Sequence, residues 1–354
     1  LPFFRLAILQ ETPMPIIREI RIRLALLVGV VFLGALATLA YLLFAAPTRV
    51  QLVEPAADAS RISFFALGDQ GSGGLKQWEI ARGMERVAER AGAPDFVALL
   101  GDNFYSHGVR STRDKRWNWK FENVYIGNKL VNIPFYAVLG NHDVEGNAEA
   151  QIQYSRKHAG SGRWQMPGHS YSKDFGMDSG HPLLRVVFID TNDPTREKMA
   201  KQARFMEEAF SPSAQQPTWR IVVGHHPFRN FGKHGEAPEL VSALLPVLQK
   251  LQVDLYLAGH DHDQQLIVRD GEPVYVISGG GGQSLYEVAK EQPGLLFSRS
   301  QHGFAKIVVD SSRMLVAFYD GHARMAAEYA VERSCTKSAS ACLQPTVASR
   351  SNGR

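Results

Sequence analysis

Five glycines in this chain are each followed at once by a residue that can bind a proton or a cation, and this arrangement narrows the fold more than any other feature. The segments are Gly68-Asp69, Gly101-Asp102-Asn103-Phe104-Tyr105, Gly140-Asn141-His142-Asp143, Gly224-His225-His226-Pro227 and Gly259-His260-Asp261-His262. Four of the five directly follow an apolar β-branched or Leu-rich run. Each polar group is therefore expected at the carboxyl end of a buried strand, where α/β sheets collect their functional groups.

The stretches between these segments support layering of that kind. Apolar runs at Ile62 to Leu67, Phe96 to Leu100, Phe135 to Leu139, Leu184 to Ile189, Arg220 to Val223, Leu255 to Ala258 and Val274 to Ile277 read as strands. Helical spacing of apolar residues is present in Leu75 to Arg90, Glu197 to Phe210 and Glu239 to Leu251. Helices alternating with buried strands imply an α/β fold with two helical outer faces. Ala305 to Val309 and Met314 to Tyr319, joined by Asp310-Ser311-Ser312-Arg313, read as an antiparallel hairpin. No internal repeat is present. After Val331 the composition turns to Ser, Thr and Ala, so residues 333–354 are expected to be a mobile tail.

A content of 45% hydrophobic and 21% charged residues excludes wholesale disorder. The net charge of +4 does not indicate a nucleic-acid surface. Residues 1–49 carry +3 and residues 333–354 carry +4, which leaves the stretch between them at −3. Residues 24–44, LALLVGVVFLGALATLAYLLF, contain no charge and at ~1.5 Å per residue can span a bilayer core. Arg18, Arg21 and Arg23 precede them, so residues 1–23 are expected on the cytoplasmic side and everything after Pro47 outside. No clean cleavage site follows, because a cut after Ala46 would leave Phe44 at −3 and Pro47 next in line. The leading expectation is an uncleaved signal anchor, with a secreted, cleaved form as the alternative. Residues 45–60 read as a linker and residues 61–332 as the domain that carries the five segments. Cys335 and Cys342 can close a small disulfide loop in an exported protein.

Taken together, the five segments hold the donors of a two-cation hydrolytic site. Two cations about 3.5–4 Å apart stabilise both the attacking and the leaving oxygen of a phosphate ester. Asp69 and Asp102 supply carboxylate oxygen, Asn141 an amide oxygen, and His225, His260 and His262 imidazole nitrogen. Each motif alone is weak, and a Gly-Asp after a strand is most often a turn. The five in order carry the inference.

On these motifs the chain resembles the calcineurin-like metallophosphoesterases, and Tyr105 narrows the resemblance to the purple acid phosphatases of the small, tartrate-resistant type. Similarity continues at Ala150 to Ser155, Arg163-Trp164, Lys233-His234-Gly235, Gln265 and Ser278 to Gly281. The resemblance implies a four-layer α/β/β/α sandwich of two mixed sheets. It also implies iron(III) held by Asp69, Asp102, Tyr105 and His262. A divalent iron, zinc or manganese would be held by Asp102, Asn141, His225 and His260, with Asp102 bridging. The reaction implied is attack of a metal-bound hydroxide on a phosphomonoester, carried by a small molecule or a phosphoprotein. His142 and His234 are the implied catalytic residues. Asp143 and Asp261 are expected to hold loops or imidazoles. A phosphodiesterase or nucleotide hydrolase on the same fold is the alternative, and a noncatalytic metal-binding surface module a third reading. Two positions depart from the pattern: His226, where small members commonly have Tyr, and Gln70, where Trp is common. They put pocket shape and substrate preference in question and leave the implied ligands intact.

Overall fold

The computed structural model describes residues 14–44, 47–211, 215–335 and 337–346. The chain divides into two units, residues 1–45 and 46–354. The first contains α1 (Met14–Phe44), in which Ile17–Tyr41 is long and apolar enough to cross a membrane. The helix runs back through Arg18, Arg21 and Arg23 rather than starting at residue 24. Pro15 falls in its first turn, where a missing N–H leaves no bond unmade.

The second unit opens with β1 (Arg61–Leu67), α2 (Leu75–Ala91), β2 (Phe96–Leu99) and β3 (Phe135–Ala137). Two short helices, α3 (Asn141–Val144) and α4 (Ala148–Arg156), lead to β4 (Trp164–Gln165), β5 (Tyr171–Asp178) and β6 (His181–Phe188). Then come α5 (Arg196–Ala209), β7 (Trp219–Val223), α6 (Pro238–Lys250), β8 (Leu255–Ala258), β9 (Gln264–Ile267) and β10 (Val274–Ser278). The last described elements are β11 (Leu295–Arg299), β12 (Gly303–Asp310), β13 (Arg313–Asp320), β14 (Met325–Glu332), α7 (Ala339–Cys342) and β15 (Leu343–Pro345). Every apolar run read as a strand forms one.

The strands make two mixed sheets. One runs β15-β14-β13-β12-β1-β2-β3-β4 and the other β11-β9-β10-β8-β7-β6-β5. In the second sheet the two-residue period of a strand divides the side chains between two cores. Leu184, Val186, Ile221, Val223, Leu255, Leu257 and Val276 face the first sheet. Val187, Val222, Tyr256, Tyr275 and Ile277 face a core built with Met199 and Met206 of α5 and Leu240, Leu244 and Leu248 of α6. Such strands are buried on both sides, and so they read as continuous apolar runs. Helix α2 packs Ile80 and Met84 against the outer side of the first sheet, at β12 and β13. The result is the expected α/β/β/α sandwich. Phe96 of β2 ties the sheets together, stacked on Phe64 at 4.5 Å and on Phe175 of β5 at 4.2 Å. Each fully buried side chain of this size contributes about 1.5–3 kcal/mol by leaving water.

Three elements depart from the expected layout. Strand β5 was not foreseen because Ser172, Lys173 and Asp174 are exposed on an edge strand, which removes the apolar signal. Residues 47–60 do not hang free as a linker, since Val50 N–H donates to Ser161 O and Val53 N–H to Asn132 O. Nor is the tail mobile from residue 333. Leu343–Pro345 pairs with β14, Cys335 is bonded to Cys342, and Ser340 Oγ donates to Pro273 O at 2.6 Å. The physical reason is the open edge of β14, whose unpaired backbone groups the strap satisfies. Residues 347–354 of the expected tail lie outside the described residues.

Because β1, β2 and β3 run parallel in one sheet and β7 and β8 in the other, two sets of carboxyl ends carry the five motifs. They meet at one edge of the sandwich. Gly68 approaches so closely that an added Cβ would lie 3.0 Å from Gly259 Cα.

Candidate metal centre

All seven side chains expected to bind metal converge at that edge, in two groups that share one residue. Tyr105 Oη lies 2.8 Å from Asp102 Oδ2, 3.0 Å from Asp69 Oδ1 and 3.0 Å from His262 Nε2. The second group centres on Asn141 Oδ1, which is 3.1 Å from both His225 Nε2 and His260 Nδ1. Asp102 belongs to both. Its Oδ2 faces the phenol, while its Oδ1 is 3.6 Å from His225 Nε2.

The hydrogen bonds around these atoms point their lone pairs inward. His225 Nδ1 donates to Leu100 O at 2.8 Å and His262 Nδ1 to Ser284 O at 2.6 Å, which leaves Nε2 of each ring as an acceptor facing the centre. At Tyr105, one hydroxyl proton then faces three acceptors. At Asn141, an amide oxygen faces an imidazole lone pair. Neither cluster is satisfied by the protein alone, and a cation in each would satisfy both. The donor types fit: carboxylate, phenol and imidazole on one side, carboxylate, amide and imidazole on the other.

Electrostatics agree with that reading. Burial, reinforced by Asp69 and Asp102, drives the Tyr105 phenol far above its ordinary pKa, and burial likewise raises Asp69. Burial opposes a charge on His225, yet Asp102 and Asp69 prevail and its pKa is raised. His260 is pushed down by burial and by neighbouring His225, His226 and His234. A trivalent ion beside Tyr105 would reverse the bias on the phenol, as bound cations do for their ligands.

The turns that present these groups are under backbone strain. Asp69, Asp102 and His260 take φ values of 60°, 55° and 69°, in the left-handed region that disfavours side chains. Such residues cost about 1–3 kcal/mol each and persist where the surroundings hold them. Glycines of the five motifs also make room around these groups. A Cβ on Gly259 would lie 2.6 Å from Asp69 Oδ2, and one on Gly140 would collide with the Asp102 carboxylate.

His142 and His234 flank the two groups. The His142 ring is 4.6 Å from Tyr105, with Nδ1 2.6 Å from Ser106 O. The His234 ring is 4.3 Å from His260, with Nδ1 2.9 Å from Asp261 Oδ1. Asp143 is fully buried and accepts from the backbone N–H of Asn103, Phe104 and Gly140 and from Gln151, which clasps two motif loops together. Burial pushes its pKa up to about 6. Gln70 is tied to Asn103 Oδ1 at 2.9 Å.

Several partners were not visible in the sequence. Tyr286 stacks on His262 at 4.1 Å, and its N–H donates to His262 O. Lys233 Nζ sits 4.0 Å from the Tyr286 ring centroid. Thr191 Oγ1 accepts from the N–H groups of His225 and His226. A single aromatic or threonine in a loop gives no such signal. The glycine run at 279–282 lies against the same loops: Gly281 N–H donates to Gly68 O, and a Cβ on Gly279 would lie 2.7 Å from Asp69 Oδ2.

Comparison with known proteins follows the same lines. Residues 65–264 match the calcineurin-like phosphoesterase family. Purple acid phosphatase 17 of Arabidopsis thaliana is 31% identical over 79% of this chain and 81% of its own length. Human tartrate-resistant acid phosphatase type 5 is 32% identical, covering 73% of this chain and 87% of its own. Among solved structures, GAP50, the anchor in the inner membrane complex of Plasmodium, superposes with a TM-score of 0.66 at 27% identity, over 74% of this chain and 85% of that one. A purple acid phosphatase from yellow lupin seeds shares the fold, with a TM-score of 0.62 at 17% identity, over 86% of this chain and 58% of that one. Motif order, fold and relatives agree: the chain belongs to the calcineurin-like phosphoesterases, in the purple acid phosphatase branch.

Proposed function

We propose that residues 61–332 form an acid phosphatase that hydrolyses phosphomonoesters of small molecules or phosphoproteins at a dinuclear metal centre. The observation that carries this reading is Asp102, whose two oxygens face two separate donor groups. Iron(III) suits the group of Asp69, Asp102, Tyr105 and His262, and divalent iron, zinc or manganese suits that of Asp102, Asn141, His225 and His260. When bound, the pair supplies positive charge to the phosphoryl oxygens and to the attacking and leaving oxygens.

The chain's own residues have distinct tasks in this scheme. His142 is held at Nδ1 by the Ser106 carbonyl, so its Nε2 is the atom that delivers a proton to the leaving oxygen. His234 is held at Nδ1 by Asp261 and offers its other nitrogen beside His260. The α1 helix, the arginines in its N-terminal part and the Cys335–Cys342 bond support a domain anchored outside the cytoplasm, or secreted if the helix is cut away.

Turnover of an aryl phosphate monoester and the matching diester by the purified metal-loaded protein tests the reading. A clear preference for the monoester is expected; a preference for the diester would move the assignment to a phosphodiesterase. The superposed Plasmodium protein is described as an anchor, which motivates a noncatalytic surface module as the second reading; absence of turnover at two metals per chain would favour it over the phosphatase.

A further inference from the structure

The centre holds one more imidazole than the implied ligands and the two flanking histidines account for. His226 follows His225, and its ring centroid is 4.9 Å from His225 and 4.5 Å from His260. Nitrogens of His225, His226 and His260 all lie within 4.8 Å of one another. By proximity alone, His226 qualifies as a further metal ligand.

The hydrogen bonds of Thr191 argue otherwise. Thr191 is buried, and its Oγ1 accepts from His225 N–H at 3.3 Å and from His226 N–H at 3.1 Å. Both lone pairs of the hydroxyl are then used, so its proton must go to an acceptor. The atom it meets is His226 Nδ1, 2.9 Å away. A neutral imidazole that accepts at Nδ1 carries its proton at Nε2. Thr191 holds the Nδ1 edge against the loop backbone, which leaves the Nε2 edge on the other side of the ring. A nitrogen that bears a proton has no lone pair for a metal. What it offers is a hydrogen bond to an anion.

We propose that His226 is a substrate-positioning residue that donates Nε2–H to a phosphoryl oxygen on the Asn141–His225–His260 side of the centre. This rests on the phosphatase reading for its ligand, a phosphate group. With His234 on the same ring at 4.3 Å, it brackets His260 between two imidazoles.

The test uses the full-length metal-loaded protein and its His226→Phe and His226→Gln variants, with inorganic phosphate as the probe. Elemental analysis gives metals per chain, and calorimetry gives phosphate affinity independently of turnover. All three proteins should hold two metals. Phosphate should bind about 10-fold or more weakly to His226→Phe, as expected for a lost hydrogen bond to a charged group. His226→Gln, which can accept from Thr191 and donate outward, should recover most of that affinity. Loss of one metal in either variant would make His226 a ligand and overturn the proposal, as would unchanged phosphate affinity in His226→Phe. If the wild type binds phosphate through His226 but hydrolyses no monoester, the donor role is supported and the phosphatase reading fails instead.

Discussion

Replacing Gly259 by Ala tests whether the centre is as tightly defined as its geometry requires. The added Cβ would lie 2.6 Å from Asp69 Oδ2 and 3.1 Å from Leu100 O, whereas ordinary contact begins near 3.4 Å. The Asp69 carboxylate must therefore retreat by roughly 0.8 Å, against a tolerance of about 0.2 Å for a metal–ligand distance. The fold has more slack. Overpacking by one methyl costs about 1–3 kcal/mol, within a typical stability of about 5–15 kcal/mol. Gly259→Ala should thus remain folded by circular dichroism while it loses the metal on the Tyr105 side in elemental analysis after dialysis. Its kcat/KM should fall by about 100-fold or more, the penalty for misplacing reacting groups by about 1 Å. A folded variant with two metals and an unaltered visible spectrum would show that Asp69 is no ligand, and would refute the reasoning.

Other outcomes follow from other parts of the structure. With iron(III) in the proposed site, the aerobically purified protein should show a visible phenolate-to-metal charge-transfer band that Tyr105→Phe abolishes, and an unchanged band would remove Tyr105 from the proposed ligands. His142→Ala should lower kcat by about 10²–10⁴-fold with both metals retained, as for loss of a general acid; loss of metal would recast it as structural. Burial raises Asp254 to about 6, above its unfolded value, so its contribution to stability is largest at low pH and is lost as pH rises through about 6. Asp254→Asn should remove that decline from urea-unfolding midpoints measured between about pH 4 and about pH 7, and an identical decline in the variant would assign it to other groups. Reducing Cys335–Cys342 should cost about 2 kcal/mol, as for a short closed loop, and should expose β15 to proteolysis; unchanged cleavage would mean the strap holds without the bond.

The parts of the fold legible in sequence were those with one dominant physical cause. Strands β1, β2, β6, β7, β8 and β10 are buried on both faces, so they appear as unbroken apolar runs. Strand β5 lies at an edge and pairs Asp174 with Arg185 across strands, so its composition reads as loop. Strap β15 is held by backbone bonds and a disulfide, and three residues of Leu, Gln and Pro carry no period. The donors of the centre stood out because glycine and a titratable side chain recur together. What orients them did not. The Leu100 and Ser284 carbonyls that fix His225 and His262 belong to residues whose side chains are irrelevant to the task. Thr191 acts through its hydroxyl from a loop more than thirty positions earlier than the histidine it serves.

The left-handed turns at Asp69, Asp102 and His260 also bear on how such a protein can be improved. Glycine is the residue that relaxes each of these turns, and it brings neither oxygen nor nitrogen to the cations. A screen that rewards only resistance to heat would therefore favour replacements that erase the chemistry. Engineering of this scaffold has to leave those three positions untouched and seek robustness in the interior between the sheets.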